Sequence, residues 1–319
     1  MSDLNQNLYT GESFASEGYM KPKKRKKPFN KEEFAGTTLA SIPLIGFCIF
    51  GLLPLILAFY MAFVKMRDFS LEGATPVGFE NFKTVLNDQM FWDALVNTCL
   101  MGTSVFISLF FALIIAYLLS KPISGKKVFR MIYFIPYVCS VVAVTLMWKH
   151  IFNSNYGIIN QILGRTGDNA INWLGDSKYF TWAVIIMSVW SGMGYGIILF
   201  TAALTGVNPS MVEAAKIDGA GPFSVFWRIV FPAISPTTFY LVVMGVIGAL
   251  QSFAVTNVLS ARGGPNNDGV TVVFYLYRRA FEYFGTMGEA SASAWLLAIL
   301  ILGLTAFQFW GSKKWVSYD

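Results

Sequence analysis

From Thr37 to Val64 the chain carries no charged residue. Five further runs of similar character follow, at roughly residues 95–120, 131–151, 180–205, 236–259 and 291–311, with the first read as 38–64. A helix needs about 20 mostly apolar residues to cross about 30 Å of hydrocarbon, so each run is long enough to span a bilayer. The third is the shortest, since its uncharged part lasts only from Met131 to Trp148 before Lys149 and His150. Strands of an outer-membrane barrel would alternate apolar and polar residues in short segments, whereas "IGFCIFGLLPLILAFY" is apolar on every side. The sequence therefore predicts an all-α, polytopic membrane protein with six transmembrane helices. A composition of 55% hydrophobic and 13% charged residues excludes a soluble domain of 319 residues.

Charge placement predicts orientation. One side carries Lys21, Lys23, Lys24, Arg25, Lys26, Lys27, Lys31, Lys121, Lys126, Lys127, Arg130, Lys216, Arg228, Lys313 and Lys314, which is fifteen of the 24 Lys and Arg. By the positive-inside rule that side is cytoplasmic, and both termini lie there. The division is a basic tail over 1–36, a six-span domain over 37–312 with a cytoplasmic loop at 206–235, and a short tail over 313–319. The basic run "KPKKRKK" suits orientation or anionic headgroups better than nucleic acid. The run from Thr37 is too long for the apolar core of a cleaved signal peptide. Cys48, Cys99 and Cys139 fall inside spans, and His150 has no clustered partner, so neither a disulfide framework nor a metal site is expected.

The loops carry short amphipathic pieces. A turn at Gly78 precedes Phe79, Phe82, Val85 and Leu86 at helical spacing, "YGIINQIL" forms another piece, and "RGGP" breaks the chain at Arg262–Pro265. The loop "MVEAAKIDGAGPFSVFWRIVFPAISP" is different in kind. It reads as a helix opening near Pro209 or Ser210 and stopping around Gly219 and Gly221, where glycine permits positive φ. A second helix starts near Pro222 and Phe223 and runs toward the next span. Ala214 and Ala215 allow close approach by another surface, and Glu213 and Asp218 offer fixed charge. Two readings stand on these residues alone: a docking element that transmits displacement, or a plain connector.

The spacing resembles the EAA loop of permease subunits of ABC importers. Glu213, Ala214 and Ala215 lead, Lys216 and Asp218 stand before Gly219, and after nine residues come Ile229, Phe231 and Pro232; Phe231 stands where that family usually has Leu. "VGFENFKTVL", "FWDALVNT", "WKHIFNSNYGIINQIL", "GGP" and "YLYRRAF" with "MGEASAS" are similar to the sugar-permease group of maltose and glycerol-phosphate type, with Glu289 where an aromatic residue is common. The resemblance implies a type I importer permease fold in a prokaryotic plasma membrane. It also implies a coupling helix seated in an ATP-hydrolysing subunit, two such ATPase subunits, a second permease of similar fold and an extracytoplasmic solute-binding protein.

The chain lacks the phosphate-cradling pattern GxxxxGK[ST], so ATP and Mg are expected on the partners, with no enzymatic activity and no cofactor here. A solute pathway needs intramembrane polar groups and aromatic faces. Candidates are Trp190, Ser191 and Tyr195 on the fourth span and Gln251, Ser252 and Asn257 on the fifth; the other reading of "SGMGYG" is close helix packing. The absence of a mid-span charge disfavours a proton relay. A self-sufficient secondary transporter or channel is the rival function, and an intramembrane enzyme has little to work with beyond His150.

Overall fold

The computed structural model describes residues 31–66, 73–121 and 124–317. The described residues divide into two units between Pro54 and Leu55. In its described part the first unit is helical, Lys31–Phe47 passing into a π-helical turn at Cys48–Leu52. The apolar span that includes most of these residues, α1, is Phe34–Met61.

The described residues of the second unit are mostly helical, with two short strands. β1 (Val64–Lys65) pairs antiparallel with β2 (Thr75–Pro76). Then come α2 (Glu80–Leu86), α3 (Gln89–Ser120), α4 (Lys126–Val138), α5 (Val141–Ile151), α6 (Ile158–Ile162), α7 (Ser177–Thr205) and α8 (Pro209–Ile217). The last four are α9 (Pro222–Leu250), α10 (Ala254–Leu259), α11 (Val272–Phe281) and α12 (Met287–Ser312). Among the described residues five helices are long and apolar enough to span a membrane, or six if the bent pair α4–α5 counts as one.

Two predicted spans differ from the structure. The run at 131–151 is not one straight helix: α4 and α5 meet at 101°. Pro136 removes a helical donor, and Cys139 and Ser140 take extended backbone. The run at 236–259 is also broken. The helix starts earlier, at Pro222, and stops at Leu250; Gln251 ends it and Phe253 leaves helical geometry at φ −138°. Hydropathy alone carried the expectation to 259, because "FAVTNVL" remains apolar across the break.

Close packing organises the bundle core. α3 and α7 lie against each other through Ala112, Ala116, Ile197 and Phe200. A Cβ at Gly196 would come within 2.9 Å of the Ala112 Cβ, and one at Gly194 within 2.4 Å of the Tyr133 carbonyl oxygen on α4. "SGMGYG" is thus a packing surface, with close approach of backbones where no side chain intervenes. α3 is started by Asp88, whose Oδ1 accepts from the Met90 N–H at 3.0 Å. It ends at Lys121, which is extended, as the residue before a proline prefers.

Around the start of α3 the short elements form a cap. Gly78 turns with φ +57°, and in α2 Val85 is fully buried while Phe79 and Leu86 are exposed, so only part of the expected amphipathic face is inward. The buried Asn81 amide donates to the Ala62 and Val64 carbonyls at 2.9 and 3.0 Å. Arg279 of α11 pairs with Asp88 and, at 2.7 Å, with Glu289 of α12, while the Tyr275 hydroxyl donates to Asp88 Oδ2 at 2.8 Å. Glu289, the residue that departs from the sugar-permease pattern, thus has an ionic partner.

Burial of Asp88 alone would raise its pKa, but the Tyr275 hydroxyl, the Met90 N–H and Arg279 outweigh it and hold the carboxyl below its ordinary 3.8. A lowered folded-state pKa contributes stability that is present above the ordinary value and lost as pH falls through the folded one. Asp88→Asn keeps an N-cap acceptor but removes the charge. Wild type should therefore melt above this variant at about pH 5, with the gap closing toward about pH 3, as followed by thermal unfolding in detergent.

Candidate functional site

α8 is set off as a rigid, exposed unit by its two ends. Asn208 caps its start, its Oδ1 accepting from the Ser210 N–H at 3.0 Å and the Ser210 hydroxyl at 2.7 Å, and Pro209 takes the first helical position. At the other end the Ala220 N–H donates to the Ala215 carbonyl at 2.9 Å and the Gly219 N–H to Lys216 at 3.1 Å. Gly219 sits at φ +80°. This is a Schellman stop, and it explains the spacing physically: the left-handed glycine must stand four residues beyond Ala215 for the bond from Ala220 to close. Gly221, expected to share that geometry, has φ −69° and instead precedes the Pro222 that opens α9.

No residue of α8 is buried, and Met211 and Ile217 expose apolar side chains, Ile217 to 86%. Ala215, Asp218 and Gly219 join Ile229 around a recess of about 380 Å³ between α8 and the start of α9. Glu213 and Lys216 face a larger cleft of about 700 Å³, whose other wall includes Tyr117, Ser120 and Lys121 at the end of α3. Ala214 is exposed and lines neither. Pro232 lies farther along α9, after a π-helical turn at Phe226–Val230 whose closing bond runs from the Phe231 N–H to the Phe226 carbonyl. The residues of the predicted loop thus form one elbow: exposed helix, glycine corner, π turn, proline.

Within the bundle a cavity of about 450 Å³ is lined by residues of α3, α4, α7 and α9, among them Ser104, Ser108, Tyr137, Ser188, Tyr195 and Tyr240. The rings of Tyr137 and Tyr195 stack at 5.0 Å with 17° between planes, and the hydroxyls of Tyr195 and Tyr240 are 3.2 Å apart. A second cavity of about 280 Å³ shares Tyr137 and Gly192 with the first and includes Ser191. Tyr195 and Ser191 are therefore brought to a common region. Trp190 packs edge-on against Trp148 at 5.6 Å instead. Gln251, Ser252 and Asn257 line neither cavity: Gln251 is exposed at the end of α9, the Ser252 carbonyl accepts from the Thr271 hydroxyl at 2.6 Å, and Asn257 is half-buried on α10. Tyr137 and Tyr240 escaped sequence reasoning. The only available signal was a tyrosine within an apolar run.

The apolar spans, the bent third span and the exposed elbow describe a polytopic membrane protein. Residues 108–311 match the family described as binding-protein-dependent transport system inner membrane component, and the chain belongs to it. It is 32% identical to a probable ABC transporter permease protein, YesP of Bacillus subtilis, over 93% of this chain and 96% of that one. It is 32% identical to the diacetylchitobiose uptake system permease protein NgcF of Streptomyces coelicolor, over 91% and 85% of the two. With the sn-glycerol-3-phosphate transport system permease protein UgpA of Pectobacterium atrosepticum it shares 31% identity, over 76% and 82%. Its fold is similar to a chain of a bacterial alginate ABC transporter crystallised with an alginate pentasaccharide-bound periplasmic protein. The TM-score is 0.76 at 23% identity, covering 89% of this chain and 96% of that one. The protein is a multi-pass membrane permease of a binding-protein-dependent importer.

Gly219→Ala would force a Cβ into left-handed backbone, at a cost of about 1–2 kcal/mol. The amides of Asp218, Gly219 and Ala220 should then exchange faster with deuterium, while those of α3 and α7 keep their protection.

Proposed function

We propose that this chain forms one half of the translocation path of an ATP-driven sugar-type importer and receives force from an ATPase through α8. The observation that carries the reading is the elbow: a capped, wholly unburied helix fixed by Gly219 to the helix that contributes Tyr240 to the bundle cavity. A rigid helix transmits displacement where a loose loop would absorb it. The exposed Ile217 and Met211 and the small Ala214 and Ala215 suit a groove on a partner.

In this reading α8 and both termini are cytoplasmic, in accord with the bias of Lys and Arg. A second permease of similar fold completes the path, two ATPase subunits bind ATP and Mg, and an extracytoplasmic binding protein delivers the solute. The chain itself holds no cofactor. Closure of the ATPases moves the two elbows and rocks the paired permeases between inward-facing and outward-facing states. The tyrosine cavity suits a sugar, whose C–H faces stack on aromatic rings and whose hydroxyls bond to Tyr and Ser. The relatives named for diacetylchitobiose and sn-glycerol-3-phosphate support a polyhydroxylated solute.

Co-purification from the native membrane tests the assembly. Wild type should bring down an ATPase and a sister permease. Gly219→Pro, which cannot adopt φ +80°, should lose the ATPase while remaining inserted. Ala215→Trp should abolish uptake in the same way. Wild type that purifies alone and still transports in vesicles would make the chain an independent carrier.

For the path, Tyr195→Phe removes one hydroxyl from the cavity and should raise the uptake KM by roughly 2- to 10-fold, the scale of one hydrogen bond. A double change of Gln251 and Asn257 to Ala tests the fifth-span candidates in the same assay. Unaltered uptake kinetics there, with a shifted KM for Tyr195→Phe, would restrict the path to the tyrosine cavity.

A further inference from the structure

The carboxyl-terminal segment was expected to be a short tail, yet the structure fastens it to the elbow. Beyond α12 the chain turns, the Trp315 and Val316 N–H groups donating to the Ser312 carbonyl at 3.1 and 2.9 Å. The Ser317 N–H then donates to Ser235 Oγ at 2.9 Å. Ser235 is fully buried, and its hydroxyl donates in turn to the Pro232 carbonyl at 2.6 Å. That carbonyl has a specific need. In a helix it would accept from residue 236, but residue 236 is proline and has no N–H. Ser235 supplies the missing donor, and the tail satisfies Ser235 in turn.

Rings reinforce the polar relay. Trp315 lies nearly parallel to Phe231, with centroids 6.5 Å apart, and meets the buried Phe239 edge-on at 6.1 Å. Phe231 packs on Trp227 at 4.9 Å, and Trp227 on Phe226 at 5.3 Å, which brings the contact back to the π turn. Between Phe226 and Pro236 a π turn and two prolines interrupt the regular helical ladder, so this stretch of α9 is where bending would otherwise concentrate.

We infer that Lys313–Ser317 is a strap that stiffens the elbow, with Trp315 and Ser235 as positioning residues that let displacement of α8 reach α9 without being lost in its π turn. The inference rests on the proposed coupling through α8. Neither residue touches solute or nucleotide, so their effect falls on the efficiency of transmission.

The test uses the complete importer with its ATPase, sister permease and binding protein in proteoliposomes, with solute imported per ATP hydrolysed as the readout. Trp315→Ala and Ser235→Ala should assemble in wild-type yield and hydrolyse ATP. Imported solute per ATP should fall by roughly fivefold, the scale on which residues remote from both sites modulate coupling. Trp315→Phe and Ser235→Thr, which keep a ring and a hydroxyl, should restore the ratio. An unchanged ratio in both alanine variants overturns the strap. So does loss of assembly in the alanine and conservative variants alike, because the segment would then serve only folding. Gly219→Pro, followed by ATPase co-purification and by uptake, separates the two failures. If it loses the ATPase and uptake while the strap variants keep the wild-type ratio, only the strap is wrong; if it keeps the ATPase and transports normally, coupling through α8 is wrong.

Discussion

Every backbone N–H and C=O placed in hydrocarbon must find its partner within the protein, because no water is there to take its place. The long, uninterrupted α3 and α7 meet this demand by helix alone, and they form the rigid centre of the bundle. Other helices fail to meet it unaided. α4 and α5 part at Cys139 and Ser140, α9 ends at Gln251, and its lower part is interrupted by Pro232 and Pro236. At these breaks side chains do the work the ladder cannot. The Ser252 carbonyl takes the Thr271 hydroxyl, and the Pro232 carbonyl takes that of Ser235.

The breaks also explain what was legible in the sequence. Long uncharged runs announced α1, α3, α7 and α12 to within a few residues, since length and hydropathy suffice for a span that is one helix. They misjudged the third and fifth runs, because hydropathy is blind to a bend between two equally apolar segments. The elbow was legible for a different reason. Pro209, Gly219 and Pro222 are local signals whose meaning depends on neighbours one to five residues away, and the structure places a first turn, a left-handed stop and a new start there; the cap at Asn208 was not among the signals read.

The bundle cavity was legible only in part. Ser191 and Tyr195 stood out as polar and aromatic residues in a glycine-rich stretch; Tyr195 lines the bundle cavity, and Ser191 lines the smaller cavity that shares Tyr137 and Gly192 with it. Trp190, two positions from Ser188 on the same helix, turns instead to Trp148, because a single α7 presents successive residues to α3, α4 and α5 in rotation. Gln251 and Ser252 looked like mid-span polar groups only while the fifth span was taken to continue through them. Once α9 stops at Leu250 they become end groups: Gln251 is exposed, and the backbone carbonyl of Ser252 accepts from the Thr271 hydroxyl. Tyr137 and Tyr240 gave no advance sign because their common partner, Tyr195, stands 58 and 45 residues away from them in sequence.

The arrangement of stiff and interruptible parts bears on how such a permease could move. A uniformly regular α9 would bind the elbow to the bundle cavity as one rod, and a uniformly broken one would isolate them. The observed helix is interrupted near α8 and regular beyond Pro236 up to Leu250, passing Tyr240 and the close contact of Gly245 with Val105 on the way. Under the proposed coupling, displacement arriving at α8 would meet the interrupted stretch of α9 first and the close contact of Gly245 with Val105 next. What decides whether motion reaches the tyrosines is how that compliant stretch is held. The hydroxyl of Ser235, buried between a proline carbonyl and an amide from the far end of the chain, is a polar group placed to hold it.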